Sequence, residues 1–144
     1  MRFSLQTDYA LRTLMYLATR RERATIDDVA TLFGISKTHV AKVVNQLARL
    51  GYVRSVRGVG GGIELCREPA EITIAEVVQA FEGSLHLLEC IATQNVCVIE
   101  RFCKLKGVLA EAERRQVEYL ASMTLADVLP TRRQLTAMDP SRPS

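Results

Sequence analysis

The chain has 144 residues, 48% hydrophobic and 24% charged, which suits one globular domain or one small domain with an appendage. No apolar run approaches the roughly eighteen residues of a membrane span, and Met1 leads straight into an amphipathic segment, so a soluble, cytoplasmic protein with no membrane partner is expected. The net charge of +3 is uneven: residues 1–67 carry 11 Lys and Arg against 5 Asp and Glu, residues 68–144 carry 8 against 11, and a basic first module favours a phosphate-bearing partner.

Asp8 to Thr19 places Ala10, Leu11, Leu14, Met15, Leu17 and Ala18 at helical spacing and predicts a first helix with one broad buried face. Thr25, with Asp28 three residues later, caps a short second helix through Phe33, whose Ile26, Val29, Ala30 and Leu32 are available to a core. Gly34 turns the chain. Ser36 then caps a third helix that runs to Gly51, with Val40, Val43, Val44, Leu47 and Leu50 as its inner stripe.

Helix, short turn with glycine, then helix is the plan of a helix-turn-helix, whose second helix enters the major groove of DNA. Lys37, Thr38, His39, Lys42 and Asn45 lie on the outward face and can reach base edges and phosphates. The competing reading is a polar solvent face. The next segment of the chain disfavours it: Tyr52 to Val56 and Gly62 to Leu65 read as short strands joined by a loop with glycines at 58, 60, 61 and 62. A hairpin directly after a recognition helix is a wing, which brings Gly60 and Gly61 close to a bound surface. It also sets Arg54 and Arg57 where guanidiniums meet the backbone or a narrow minor groove. No Lys-Ser/Thr or immediate helix follows, so the run is not a phosphate-binding loop.

Thr73 with Glu76 forms a capping box for a helix reaching Phe81. Cys90, Cys97 and Cys103 then fall within fourteen residues, and in a reducing compartment such a group argues for metal or redox chemistry over disulfides. The spacing does not suit a zinc ribbon and suits a larger inorganic cluster better. Three inert core thiols are the alternative. Cys66, apart from these at the end of the wing, reads as structural. From about Glu100 to Ser122 a long helix carries Leu105, Val108, Leu109, Ala112, Val117 and Leu120 on one side, more apolar length than a small winged domain covers, so pairing with a two-fold mate is expected. Thr124 caps a last short helix that Pro130 ends, and residues 130–144 are expected to be disordered.

The pieces TDYALRTLMYLA, GISKTHVAKVVNQLARLGYV, VRGVGGGIEL and the three cysteines resemble the winged-helix iron-sulfur transcriptional repressors, the family that includes NsrR, IscR and RirA. The resemblance covers residues 1 to about 130. It implies a homodimer on an inverted-repeat DNA operator, with Arg57 in the minor groove and Ser36 and Thr38 touching DNA. It also implies an iron-sulfur cluster on Cys90, Cys97 and Cys103, of the 4Fe-4S type with 2Fe-2S the alternative. The IscR-like branch supplies a His three residues after the third cysteine, where this chain has Lys106. The NsrR-like branch recruits an Asp near the N-terminus of the partner subunit, and Asp8 matches it, with His86 and Glu89 as nearby competitors. A first-turn acid favoured by the helix dipole is the other reading of Asp8.

The expected fold is mostly α with a small β-wing: a winged helix-turn-helix domain over 1–81, a cluster-binding loop over 82–103, and a dimerisation helix with a short terminal helix over 100–129. The expected function is a dimeric repressor that nitric oxide releases from DNA. Iron or cluster-status sensing is the alternative within the family, and a metal-free thiol switch or a small electron carrier the alternative outside it. His39 and His86 assemble no nucleophile, base and oxyanion arrangement, so no enzyme is expected.

Overall fold

The computed structural model describes residues 2–139. Helix α1 spans Leu5–Arg20 and starts earlier than the apolar spacing predicts, because Ser4 caps it by accepting from the Thr7 N–H, which leaves Asp8 in the first turn. Helix α2, Ile26–Phe33, opens on the Thr25–Asp28 capping box and closes on Gly34 at φ 63°. Helix α3, Lys37–Arg49, is capped by Ser36 and stops two residues short of Gly51, where the chain turns at φ 84°. Its Val40, Val43, Val44 and Leu47 are buried against α1 and α2 with Ala10, Leu14, Leu17 and Val29, whereas Leu50, expected on the same stripe, falls at the C-cap where the helix ends and is exposed. Truncating the fully buried Leu47 to Ala would cost about 2–5 kcal/mol, since the packed neighbours cannot fill the void.

Strands β1, Val53–Val56, and β2, Gly62–Leu65, form an antiparallel hairpin that pairs Arg54 with Glu64 and Val56 with Gly62. The turn between α1 and α2 adds a third rung, because Ala24 and Ile63 exchange both backbone hydrogen bonds, at 3.0 and 2.7 Å. That approach requires glycine at 62, where a Cβ would lie 2.7 Å from the Ala24 carbonyl oxygen. The hairpin is thereby fastened to the loop before α2 through Ala24 and to the end of α3 through the Tyr52 N–H, which donates to the Leu47 carbonyl.

A 3-10 turn at Pro69–Glu71 leads to α4, Ile74–Glu82, opened by the Thr73–Glu76 capping box. The Glu76 carboxylate also accepts from Tyr52 Oη at 3.0 Å and from Arg67 Nη1 at 2.5 Å, which joins α4 to the entrance of the wing.

Beyond α4 come a short helix α5, Glu89–Ala92, a 3-10 turn, Glu100–Phe102, and the long helix α6, Lys104–Ser122. The long helix therefore begins after Cys103, later than Glu100 as expected, because residues 100–102 wind tighter and Cys103 occupies the capping position. None of the α6 residues is buried, and Leu105, Val108 and Tyr119 are well exposed. The chain returns to the core only after it: Thr73 bridges Thr124, and Leu125 is wholly buried at the head of a 3-10 turn, Leu125–Val128, where a short helix was expected.

The disordered tail expected from residue 130 is corrected over its first part. Arg132–Ala137 form helix α7, opened by a Thr131–Gln134 capping box, and its Leu135 is buried beside α1 while Arg132 pairs with Glu22. One well-placed leucine on a capped turn suffices where composition showed too few apolar residues. Residues 140–144 lie outside the described residues. No helix among the described residues is long and apolar enough to cross a membrane.

Candidate nucleic-acid interface and metal centre

The four buried residues of α3 fix which of its sides faces outward. Ser36, Lys37, Thr38, His39, Lys42 and Asn45 are all exposed, as the helical period requires. They differ in what holds them. The Ser36 hydroxyl accepts from the His39 N–H at 3.2 Å, and Lys37 Nζ is paired with Asp27 of α2 at 2.7 Å, locking the two helices of the motif together. Thr38, Lys42 and Asn45 have no side-chain partner among the described residues and are free to bond to a ligand. The His39 ring rests against Tyr9 of α1, with centroids 6.1 Å apart, beside a small groove that Leu5, Gln6 and Lys42 also line.

On the wing, Arg57 is exposed at the tip and has no partner among the described residues. Arg54, which the sequence groups with it, is instead paired with Glu64 across the hairpin at 2.6 Å. The same carboxylate accepts from Arg23 at 2.9 Å, and Arg23 Nη1 reaches the Gly60 carbonyl at 3.3 Å. Gly61 serves the turn itself, since a Cβ there would lie 2.2 Å from the Val56 oxygen. Sequence reading missed Arg23 and Glu64. Glu64 faces Arg54 by strand register and was within reach of that logic, whereas no local pattern places Arg23, in a loop, beside the wing.

Asp8 Oδ1 accepts from Arg12 Nε at 2.9 Å, one turn along α1. The Arg12 guanidinium in turn lies over the Phe33 ring at the end of α2, 5.7 Å from its centroid. Asp8, Arg12 and Tyr9 therefore link the first turn of α1 to both helices of the reading head.

Cys90 lies in α5, Cys97 in the following loop and Cys103 at the cap of α6. All three are free thiols, two half-buried and Cys97 exposed. Among the described residues no three His, Cys, Asp or Glu side chains are gathered closely enough to hold a metal, so the single chain puts the three thiols on one segment without closing them around a centre. Their chemistry fits an iron-sulfur cluster: three soft donors, unpaired and reachable, on one segment. Of the two competitors for a fourth ligand, His86 is hydrogen-bonded through Nδ1 to Glu113 at 2.7 Å, whereas the Glu89 side chain, in the first turn of α5, has no hydrogen-bond or ion-pair partner among the described residues. Lys106, three residues after the third cysteine, is paired with Glu100 at 2.5 Å. Cys66, expected as a structural residue, is free and exposed at the foot of the hairpin, with its N–H donated to the Tyr52 carbonyl.

Residues 3–131 match the Rrf2 family, described as an iron-dependent transcriptional regulator. The chain is 40% identical over 141 residues to the HTH-type transcriptional regulator NsrR of Geobacillus kaustophilus (strain HTA426), covering 96% of each. It is 42% identical over 132 residues to the NsrR of Bacillus subtilis (strain 168), covering 90% of each. Among solved structures it is similar to T. potens IscR, with a TM-score of 0.70 and 25% identity, covering 100% of this chain and 93% of that one. CymR, the global cysteine regulator of B. subtilis, shares the fold at a TM-score of 0.75 and 23% identity, over 89% of this chain and 95% of that one. A helix-turn-helix with a wing, a long uncovered helix behind it and these likenesses along nearly the whole length lead to one conclusion: the chain belongs to the Rrf2 family of winged-helix, DNA-binding transcriptional regulators, which are not enzymes.

Proposed function

We propose that the chain is a homodimeric repressor that senses nitric oxide through an iron-sulfur cluster of the 4Fe-4S type, held by Cys90, Cys97 and Cys103 and completed by Asp8 of the partner subunit. The observation that supports the reading is that one segment carries three free thiols while a first-turn carboxylate stands on α1, the helix that packs behind α2 and α3. The similarity to proteins named NsrR supports it. When bound, such a cluster supplies iron that reacts with nitric oxide.

The chain's own residues account for the coupling. Arg12 occupies one oxygen of Asp8, and a carboxylate has lone pairs left for a second partner. Drawing Asp8 toward another subunit shifts what Arg12 holds, and with it the Phe33 end of α2, while Tyr9 on the next position bears on His39. A ligand gained or lost at Asp8 thus acts on both helices of the motif, which is the differential contact that an allosteric change requires. The uncovered side of α6 suits a two-fold mate, and a two-fold dimer reads an inverted repeat with half-sites about 34 Å apart, or a multiple of that.

The test is anaerobic purification followed by absorbance spectroscopy, iron and sulfide analysis, and measurement of mass in solution. A brown dimer carrying iron and sulfide, whose spectrum nitric oxide alters as DNA is released, supports the proposal. A colourless, iron-free dimer from the same preparation overturns it in favour of a thiol switch, and a cluster indifferent to nitric oxide but lost on iron limitation favours iron sensing.

A further inference from the structure

A carboxylate on a wing that meets DNA repels phosphate, yet Glu64 stands in the middle of this one. We infer that Glu64 is a positioning residue that holds Arg54 and Arg23 as a paired phosphate clamp at the base of the wing, and that Arg23 is a DNA-contacting residue. The inference rests on the winged-helix DNA-binding reading and deepens it.

The geometry of the two ion pairs carries the argument. Glu64 Oε1 accepts from Arg54 Nε at 2.6 Å and Oε2 from Arg23 Nε at 2.9 Å. Both guanidiniums are thus gripped by the inner nitrogen. The terminal nitrogens of Arg54 make no hydrogen bond among the described residues, and Arg23 uses only Nη1, on the Gly60 carbonyl. Those terminal edges are the ones that fit a phosphate.

Exposure runs the same way. The Glu64 side chain is 21% exposed, whereas those of Arg23 and Arg54 are 43% and 66% exposed, so the acid sits inward and the two cations outward. Arg23, then Arg54, keep the Glu64 carboxyl below the ordinary carboxylate range, so it stays ionised at neutral pH. Arg23, Arg54 and Glu64 together carry a net positive charge, beside a groove that Glu64 lines with Glu22, Glu68, Glu71, Arg21 and Arg67. Two separate backbone attachments hold the three in place: the β1–β2 register sets Arg54 opposite Glu64, and the Ala24–Ile63 rung brings Arg23 alongside. Fixing long side chains before binding lowers the entropy lost when they meet the phosphates.

The test uses the purified full chain and a fluorescein-labelled mixed-sequence DNA duplex, with anisotropy read across a KCl series, so no cluster and no known operator is needed. Binding of the wild-type chain that weakens with salt, and weakens further in Arg57→Ala, is the control for the DNA-binding reading. Its failure rejects that reading whatever Glu64 does. Given that control, Arg23→Met and Arg54→Met should each lower the magnitude of the log–log salt slope by about 0.9.

Glu64→Gln gives the decisive sign. Removing a negative charge from a DNA-facing surface tightens binding if charge alone matters. Positioning predicts the opposite, a weakening of roughly three- to tenfold, the scale of about one lost phosphate contact. In an Arg23→Met/Arg54→Met background the same substitution should no longer weaken binding, because there is nothing left to position. Tighter or unchanged binding by Glu64→Gln overturns the inference, as does an unchanged slope in Arg23→Met. Equal weakening by Glu64→Gln in the doubly substituted background also overturns it, since that reports general damage to the wing.

Discussion

Glu82 Oε1 accepts from the hydroxyl of Thr7 at 2.5 Å and from the Ser4 N–H at 2.6 Å, so the last residue of α4 closes the first turn of α1. Thr7 is wholly buried. Glu82 is the residue from which the cysteine segment departs, and Thr7 precedes Asp8. One carboxylate therefore ties the foot of that segment to the turn that carries the proposed fourth ligand.

Glu82→Gln is expected to lower stability by about 1 kcal/mol at pH 7, a charge-assisted bond discounted for partial exposure. The Thr7 hydroxyl, more than any other contact, holds the Glu82 carboxyl below the usual carboxylate range. Its contribution is present above roughly pH 4.5 and is lost as pH falls through the lower folded-state value, because the unfolded chain takes up its proton first. Urea unfolding at pH 7 and at about pH 3.5 checks this: the gap between variant and wild type should narrow in acid, and equal midpoints at pH 7 would dismiss the bond as a contributor.

The Tyr52 phenol, buried and donating to Glu76, is pushed up to about 12, by burial first and by the Glu76 carboxylate second. Between about pH 10 and 12 the unfolded chain releases this proton and the folded chain keeps it, so stability falls as pH rises, by on the order of 2 kcal/mol in full. Tyr16, also raised by burial, adds to the same slope. Tyr52→Phe should therefore make the alkaline loss of stability shallower without abolishing it, as read by denaturant midpoints across that window. An unchanged slope would show that Tyr52 ionises normally.

Arg57→Ala should weaken DNA binding and reduce the salt slope by about one phosphate equivalent, with folding and iron content intact, because the side chain is exposed and has no hydrogen-bond or ion-pair partner among the described residues. Anisotropy titration beside a thermal melt measures both. Wild-type affinity in the variant removes Arg57 from the interface.

Cys66→Ala should retain iron and sulfide, whereas Ala at Cys90, Cys97 or Cys103 should abolish the cluster or severely destabilise it. Elemental analysis of anaerobically purified variants decides the assignment. Loss of iron from the Cys66 variant alone would reverse it.

Asp8→Ala should leave a folded dimer, because the acid sits in an exposed pair with Arg12 and a first-turn charge contributes only about 0.3–1 kcal/mol through the helix dipole. Its electronic spectrum and rate of reaction with nitric oxide should shift, and operator affinity of the iron-loaded form should fall. A mixed dimer locates the effect. Pairing a subunit lacking the three cysteines with one lacking Asp8 leaves one intact site if ligation crosses the dimer, giving a wild-type spectrum at half occupancy. With ligation inside one subunit every site is defective, and no wild-type signal remains.

The local elements were legible because their causes are local. Ser36, Thr25 and Thr73 cap their helices through atoms three residues away, and the apolar period of α3 names both its buried and its outward side. The same holds for the hairpin, whose glycines mark the turn. The start of α6 was misplaced because Cys103 is a capping residue without a side-chain cap bond, which leaves no sequence signal, and α7 was missed because its stability comes from Leu135 docking beside α1. What the tertiary structure alone decided are the joins between distant segments: Glu82 on Thr7, Tyr9 against His39, and Arg23 and Arg54 sharing Glu64. A charged side chain reads the same in sequence whether it is solvated or gripped. Its partner is fixed only when the core, the strand register and the Ala24–Ile63 rung bring remote backbone together, and that placement distinguishes the free Arg57 from the held Arg54.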